Sequence, residues 1–320
     1  MVIEMTKYRN NLPQTSGTLL LTDSGLETTL IFHDGFELPA FAAYPLLASA
    51  EGRETLGRYY RRHLEIARDH GTGFLLEAPT WRASRDWGAA LGHGPDELAR
   101  FNREAIALLC DLRGETHGSA PIVVSGNIGP RGDGYRPDTA MTAEEAEAYH
   151  AEQIGWFADT DVDLVTAVTL STVAEGTGVV RAAAKADLPV VVSYTVETDG
   201  RLPDGTPLGQ AITETDAATG SRSAYFMVNC AHPDHFRGVI EGGDDWRARI
   251  GGIRANASRM SHAELDEAET LDDGDPDELG RDYALLKRSL PNLTVFGGCC
   301  GTDHRHVAAI ADRCVVHDAA

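Results

Sequence analysis

Three of the five cysteines in this 320-residue chain stand where they can do metal chemistry. Cys299 and Cys300 are adjacent in Phe296-Gly297-Gly298-Cys299-Cys300-Gly301-Thr302, directly after the apolar run Leu293-Thr294-Val295-Phe296. Adjacent cysteines do not readily pair with each other, because disulfide geometry is hard to meet across one peptide bond. Glycines on both sides let the backbone turn tightly and let a ligand approach. Cys230 ends a second strand-like run, Ala224-Tyr225-Phe226-Met227-Val228-Asn229-Cys230, with a short helix expected from Asp234 to Ile240. Thiolates at two strand ends, aimed into one space, suit a soft metal. Zinc is the first candidate, since it binds thiolate sulfur at ~2.3 Å and is four-coordinate. Three protein ligands with one open position mark a catalytic site, four closed ligands a structural one. The competing reading is three small buried hydrophobes, a common fate of free cysteine. The Gly-Gly-Cys-Cys-Gly context together with Asn229-Cys230 favours the metal. Cys110 and Cys314 fall in helical runs and read as packing residues.

The elements that must position these thiols alternate along the chain. Strands are expected at Leu19–Asp23, Phe74–Trp81, Pro121–Asn127, Asp163–Thr169, Leu188–Val196, Ala224–Cys230, Ile250–Asn256 and the run ending at Cys299. Helical patterns cover Arg53–Asp69, Asp96–Arg113, Ala174–Ala186, Leu279–Leu290 and Asp303–Cys314, and Thr142 with Glu145 forms a capping box. Eight apolar strands, each followed by a helical segment, describe an α/β chain folded as a single-domain (β/α)8 TIM barrel over residues 1–320. Residues 1–17 form an N-terminal extension. No Gly-x-Gly-x-x-Gly follows the first strand, which argues against a doubly wound sheet, and no second domain or internal repeat is indicated. Polar and sulfur residues collect at strand C-termini, the rim that carries active sites in such barrels: Asp23, Glu77, Asn127, Thr169, Cys230, Asn256, Cys299 and Cys300.

Composition narrows the function classes. A formal charge of −21 disfavours nucleic acid and anionic membranes as partners. No apolar run is long enough for a transmembrane helix, and Met1–Asn11 lacks the apolar segment of a signal peptide. An odd cysteine count with two adjacent thiols points to a reducing cytoplasm rather than a disulfide framework. Small molecules are the expected partners, and oligomeric state is left open.

Several stretches together carry a family likeness. Asp23-Ser24-Gly25-Leu26-Glu27-Thr28, Gly126-Asn127-Ile128-Gly129-Pro130, Gly205-Thr206-Pro207-Leu208, Val228-Asn229-Cys230 and Gly297-Gly298-Cys299-Cys300-Gly301-Thr302 resemble the homocysteine S-methyltransferase family. That family includes betaine- and S-methylmethionine-dependent enzymes and the homocysteine barrel of methionine synthase. The resemblance runs from about Leu19 to Ile310. It implies a (β/α)8 barrel, Zn2+ held by Cys230, Cys299 and Cys300, and transfer of a methyl group from an onium donor to a thiol, homocysteine by default, in methionine biosynthesis.

The sequence also departs from that pattern. The family's strand-four Glu, which helps hold the homocysteine amine, is matched here by Val168, followed by Thr169. A carboxylate, Glu77, has appeared at the end of strand two, and Ser24 replaces a glycine after Asp23. Either Glu77 takes over the amine, or the acceptor thiol has none. A zinc- or thiol-binding barrel without transfer activity is the third reading. Glu77 can alternatively be salt-bridged to Arg82 or Arg85. Asp23, Ser24, Glu77, Trp81, Asn127, Thr169 and Asn256 are the expected substrate-binding residues. Trp81 can stack on an onium methyl, worth ~0.5–2 kcal/mol, or pack the rim. Tyr135 and Tyr194 are similar candidates. His33 and Asp34, His304 and His306, and the acidic run Asp272–Asp277 read as surface or loop.

Overall fold

The computed structural model describes residues 7–135 and 141–315. Its centre is a closed parallel barrel of eight strands in sequence order. They are β1 (Leu20–Thr22), β2 (Gly73–Glu77), β3 (Ile122–Ile128), β4 (Leu164–Leu170), β5 (Val190–Tyr194), β6 (Phe226–Asn229), β7 (Ile250–Ala255) and β8 (Val295–Gly298). All eight expected strands are present, and every strand residue is buried. This is why none alternates with polar residues: barrel filling covers one face and helices the other.

The helices follow the expected pattern. Ala50–Asp69 is capped by Ser49, whose hydroxyl accepts from Gly52 N–H, and the Thr142–Glu145 capping box opens Ala143–Ala158. Besides a short turn of helix at Leu26–Thr28, three further α-helices go beyond the expectation. Leu208–Thr219 follows β5, Arg85–Ala90 follows β2, and His262–Glu267 precedes the acidic loop. The last two span only six residues each, too short for helical periodicity to show.

The N-terminal segment closes the bottom of the barrel. Leu12 packs with Leu20, Leu75, Val123, Leu164, Val191 and Val295 in a cluster separate from the main helix–sheet core. Tyr8 N–H and Val124 N–H both donate to the buried Asp163 carboxylate, which also pairs with Arg113 at 2.8 Å. The first six residues of the expected extension lie outside the described residues.

Leu12→Ala should therefore cost about 2–4 kcal/mol of stability, read as a lower denaturant midpoint. A change below about 0.5 kcal/mol would show that the segment does not seal the barrel.

Candidate functional site

β6 and β8 flank β7, so their C-terminal ends face one point. Backbone bonds continue past the strands and fix the cysteines: Cys230 N–H donates to Arg254 O, Cys299 N–H to Ala255 O, and Ala257 N–H to Cys300 O. The three sulfurs lie within 4.8 Å of one another, with Cys230 and Cys300 3.6 Å apart. His304 and His306 take no part. His306 donates to Asp273 O and caps its own helix, while His304 lies near Arg62.

Metal-free, these thiols share charge. Hydrogen bonds from Cys230 and Cys300 hold Cys299 well below the usual thiol range. Cys299 and burial push Cys230 up against an opposing hydrogen bond from Cys300, while Cys230, Cys299 and burial push Cys300 up. The Tyr135 hydroxyl sits 3.0 Å from Cys230 Sγ, and its ring stacks on His262 at 3.9 Å. His262 in turn pairs with Glu197 and reaches Cys230 O.

Two residues beside the thiols hold left-handed backbone: Thr169 at φ 62° and Cys230 at φ 58°. Such strain costs of order 1–3 kcal/mol each and needs support. Asn229 supplies it at Thr169. Its Oδ1 accepts from Thr169 N–H (2.8 Å) and Ser193 Oγ (2.6 Å), and its Nδ2 donates to Thr169 Oγ1 (2.8 Å). The same amide nitrogen lies 3.9 Å from Cys299 Sγ.

Arg254, like Arg82, is a buried cation lining the cavity. It pairs with Asp23 at 2.9 Å and donates to Ser24 O and to Gly298 O, one residue before Cys299. Asp23 also accepts from Thr22 Oγ1 and Tyr59 Oη, so both its oxygens are occupied. Ser24 N–H donates to Tyr59 Oη, and Ser24 Oγ lies 2.9 Å from His63 Nε2. His63 Nδ1 faces Tyr59 O and must donate, so Nε2 accepts from the serine; burial keeps this imidazole neutral. Arg254 is absent from the residues expected at the site. Its signal in the sequence is a lone arginine inside Ile253-Arg254-Ala255, since a charge on a barrel strand requires a partner.

Glu77 lies at the end of β2, 2 % exposed, and neither Arg82 nor Arg85 pairs with it. Arg85 binds Glu152, while the Arg82 guanidinium lies between Trp81 and Trp87, 3.8 and 3.5 Å from the ring centroids. The expectation of a rim salt bridge to Glu77 is thus corrected. Asn127 Nδ2 reaches Glu77 Oε2 at 3.4 Å, whereas Glu77 Oε1 and Asn127 Oδ1 have no hydrogen-bond partner among the described residues. Burial pushes the Glu77 carboxyl up to about 7, with Arg254 opposing and Asp23 reinforcing the shift.

A cavity of about 540 Å3 joins these groups. Asp23, Ser24, Glu77, Trp81, Asn127, Thr169, Val168, Tyr135 and the three thiols all line it. Asn256 does not, contrary to expectation; it is buried, with Oδ1 unpartnered. Tyr194 bonds Thr215 in the core. One Trp81 face is covered by Arg82, and its ring edge fills the space where a Cβ on Gly129 would fall. The acidic stretch is not wholly solvated: Leu265, Leu271 and Asp272 wall the cavity, and Ser258 Oγ donates to Asp272. A second group, His232, Asp234 and Asp282, also has metal-like spacing. Arg237 and Arg259 already occupy its carboxylates, which makes it an ion-pair cluster.

The homocysteine S-methyltransferase family model matches residues 20–314. The chain belongs to that family. It is a methyltransferase by this membership, and a non-catalytic barrel is not favoured. Among solved structures, the homocysteine methyltransferase MmuM of Escherichia coli is similar in fold. Its oxidized form shares 19% identity at a TM-score of 0.73, covering 92% of this chain and 96% of that one. Its metallated form shares 18% at 0.71, covering 94% and 99%. No curated protein sequence was found to match. Among the described residues no helix is long and apolar enough to cross a membrane.

Burial of Glu77 makes the stability of the metal-free protein depend on pH. Its folded pKa, about 7, exceeds the ordinary 4.5. The unfolded chain therefore releases this proton first, and stability falls as pH rises between those values, by up to about 3 kcal/mol. Glu77→Gln should raise the melting temperature at pH 8 much more than at pH 5. An equal gain at both would show that Glu77 carries no buried-charge cost.

Proposed function

We propose that this enzyme moves a methyl group from an onium donor to homocysteine, giving methionine, at a zinc site formed by Cys230, Cys299 and Cys300. The gathering of three thiols at one end of a family barrel carries the reading. The donor set fits zinc. Tetrahedral thiolates at ~2.3 Å from the ion stand ~3.8 Å apart, and Cys230 and Cys300 already lie 3.6 Å apart. Bound there, zinc would supply the positive charge that keeps an acceptor thiol ionised, since thiolate rather than thiol attacks carbon.

The chain's own residues do the rest. Asn229 holds the strained Thr169 backbone and sets its amide nitrogen 3.9 Å from Cys299 Sγ. Arg254 ties the ends of β1 and β8 together and neutralises Asp23. Val168 offers the acceptor's ammonium no charge, but Glu77 Oε1 and Asn127 Oδ1 are two buried acceptors with nothing to accept from. An ammonium carries three donors and would satisfy both, drawing Glu77 into its charged form. Transfer then forms one sulfur–carbon bond as the donor's onium–methyl bond breaks, its electron pair staying on the departing sulfur or nitrogen. A positive and a negative charge vanish together, which a water-poor cavity favours. A thiol substrate and unpaired cysteines suit the cytoplasm.

Initial rates on zinc-loaded protein test this. Glu77→Gln should lower kcat/KM for homocysteine by roughly 30- to 150-fold with zinc content unchanged. For 3-mercaptopropionate, which lacks the amine, the loss should stay below about threefold. Equal losses for both thiols would overturn the amine role. Acidification should release zinc and activity together, because protons compete for the thiolates. Full activity after complete zinc removal would contradict the mechanism.

A further inference from the structure

We propose that Glu27 binds the methyl donor: its carboxylate faces the positive sulfur or nitrogen of the onium group, while Glu77 takes the acceptor's ammonium. The inference rests on the transfer reaction proposed above and assigns the charge that selects its donor.

The placement follows from how the turn after β1 is held. Gly25 N–H donates to Thr302, and Gly301 N–H donates to Thr28 Oγ1. A Cβ on Gly25 would lie 2.5 Å from Cys299 O, so the two turns are in direct backbone contact. Glu27, between Gly25 and Thr28, is thereby held beside the cysteine pair and lines the same cavity. Leu26, Phe32 and Phe41 line it too, giving apolar surface for methyl groups.

Glu27 has no ion-pair partner among the described residues. Glu27 is half-buried at the cavity wall, and burial pushes its carboxyl up to about 7 against a hydrogen bond from its own backbone, with Cys299 and Asp23 adding to the shift and Arg254 opposing it. Arg254 is committed to Asp23, Ser24 O and Gly298 O, and Arg82, whose charge reaches Glu27 through space, forms no ion pair with it and lies over Trp81 and Trp87. A desolvated carboxylate without a cation is costly, and a cationic ligand removes that cost. One face of Trp81 is taken by Arg82, which leaves a carboxylate as the better-placed group for the onium charge.

The chemistry decides which kinetic constant Glu27 governs. The donor's positive charge is full in the ground state and disappears as the methyl moves to the thiolate sulfur. Attraction to Glu27 is therefore strongest before transfer, so it aids capture of the donor without lowering the barrier from the bound state. Such a group lowers the donor KM, and its loss raises KM without lowering kcat.

The test uses zinc-loaded wild type, Glu27→Gln and Glu27→Asp, with S-methyl-L-methionine and glycine betaine as donor probes. Calorimetry without acceptor reads donor binding, and initial rates read KM and kcat. For whichever probe the wild type binds, Glu27→Gln should weaken binding and raise the donor KM by about tenfold or more, with Glu27→Asp partly restoring both. The kcat should not fall, and the homocysteine KM and zinc content should stay within about threefold. Unchanged donor affinity in Glu27→Gln, a loss that falls on homocysteine instead, or a wild type that binds neither probe would each overturn the proposal. Calorimetry needs no turnover, so failure of methyl transfer is distinguishable from failure of donor binding.

Discussion

Three thiols within 4.8 Å of one another, one buried and two half-buried, cannot all be charged without a cation. The ionisation pattern shows the conflict, with Cys299 held low by its neighbours and Cys230 and Cys300 pushed up. Much of the barrel's upper rim answers this constraint. β7 separates the two strands that deliver sulfur, and its backbone carbonyls fix both deliveries. Asn229 carries the strained backbone at Thr169 and stands beside Cys299. Arg254 anchors Gly298 just before the cysteine pair and places a positive charge nearby.

The same arginine changes what the surrounding carboxylates can do. Asp23 is spent on Arg254, Thr22 and Tyr59 and serves as a strut. Glu77 and Glu27 form no ion pair among the described residues and line the cavity, and both are pushed up to about 7. Two unpaired acids around a thiol cluster make a pocket suited to cations, which matches a reaction between an amino-acid thiol and an onium donor. Unpaired acids also cost stability, a common trade at functional sites.

The barrel was legible because each strand is a short apolar run bounded by turn residues and followed by helical periodicity. Strand ends in cysteine, asparagine and carboxylate marked the rim. Less was legible where partners come from distant strands. The Arg254–Asp23 pair joins β7 to the end of β1, and nothing local in either segment names the other. Glu27 looked like one more residue of a motif; only the docking of its turn on Cys299–Thr302 reveals its setting. Asn256 directly follows β7 yet stays outside the cavity, because position at a strand end alone does not set side-chain direction.

Zinc K-edge absorption of the purified, reduced protein is the most direct measurement. A three-thiolate site predicts about one zinc per chain with three sulfur neighbours at ~2.3 Å, most of it lost in Cys299→Ser. An active protein whose zinc shows no sulfur scattering, or that holds its zinc undiminished without Cys299, would contradict it.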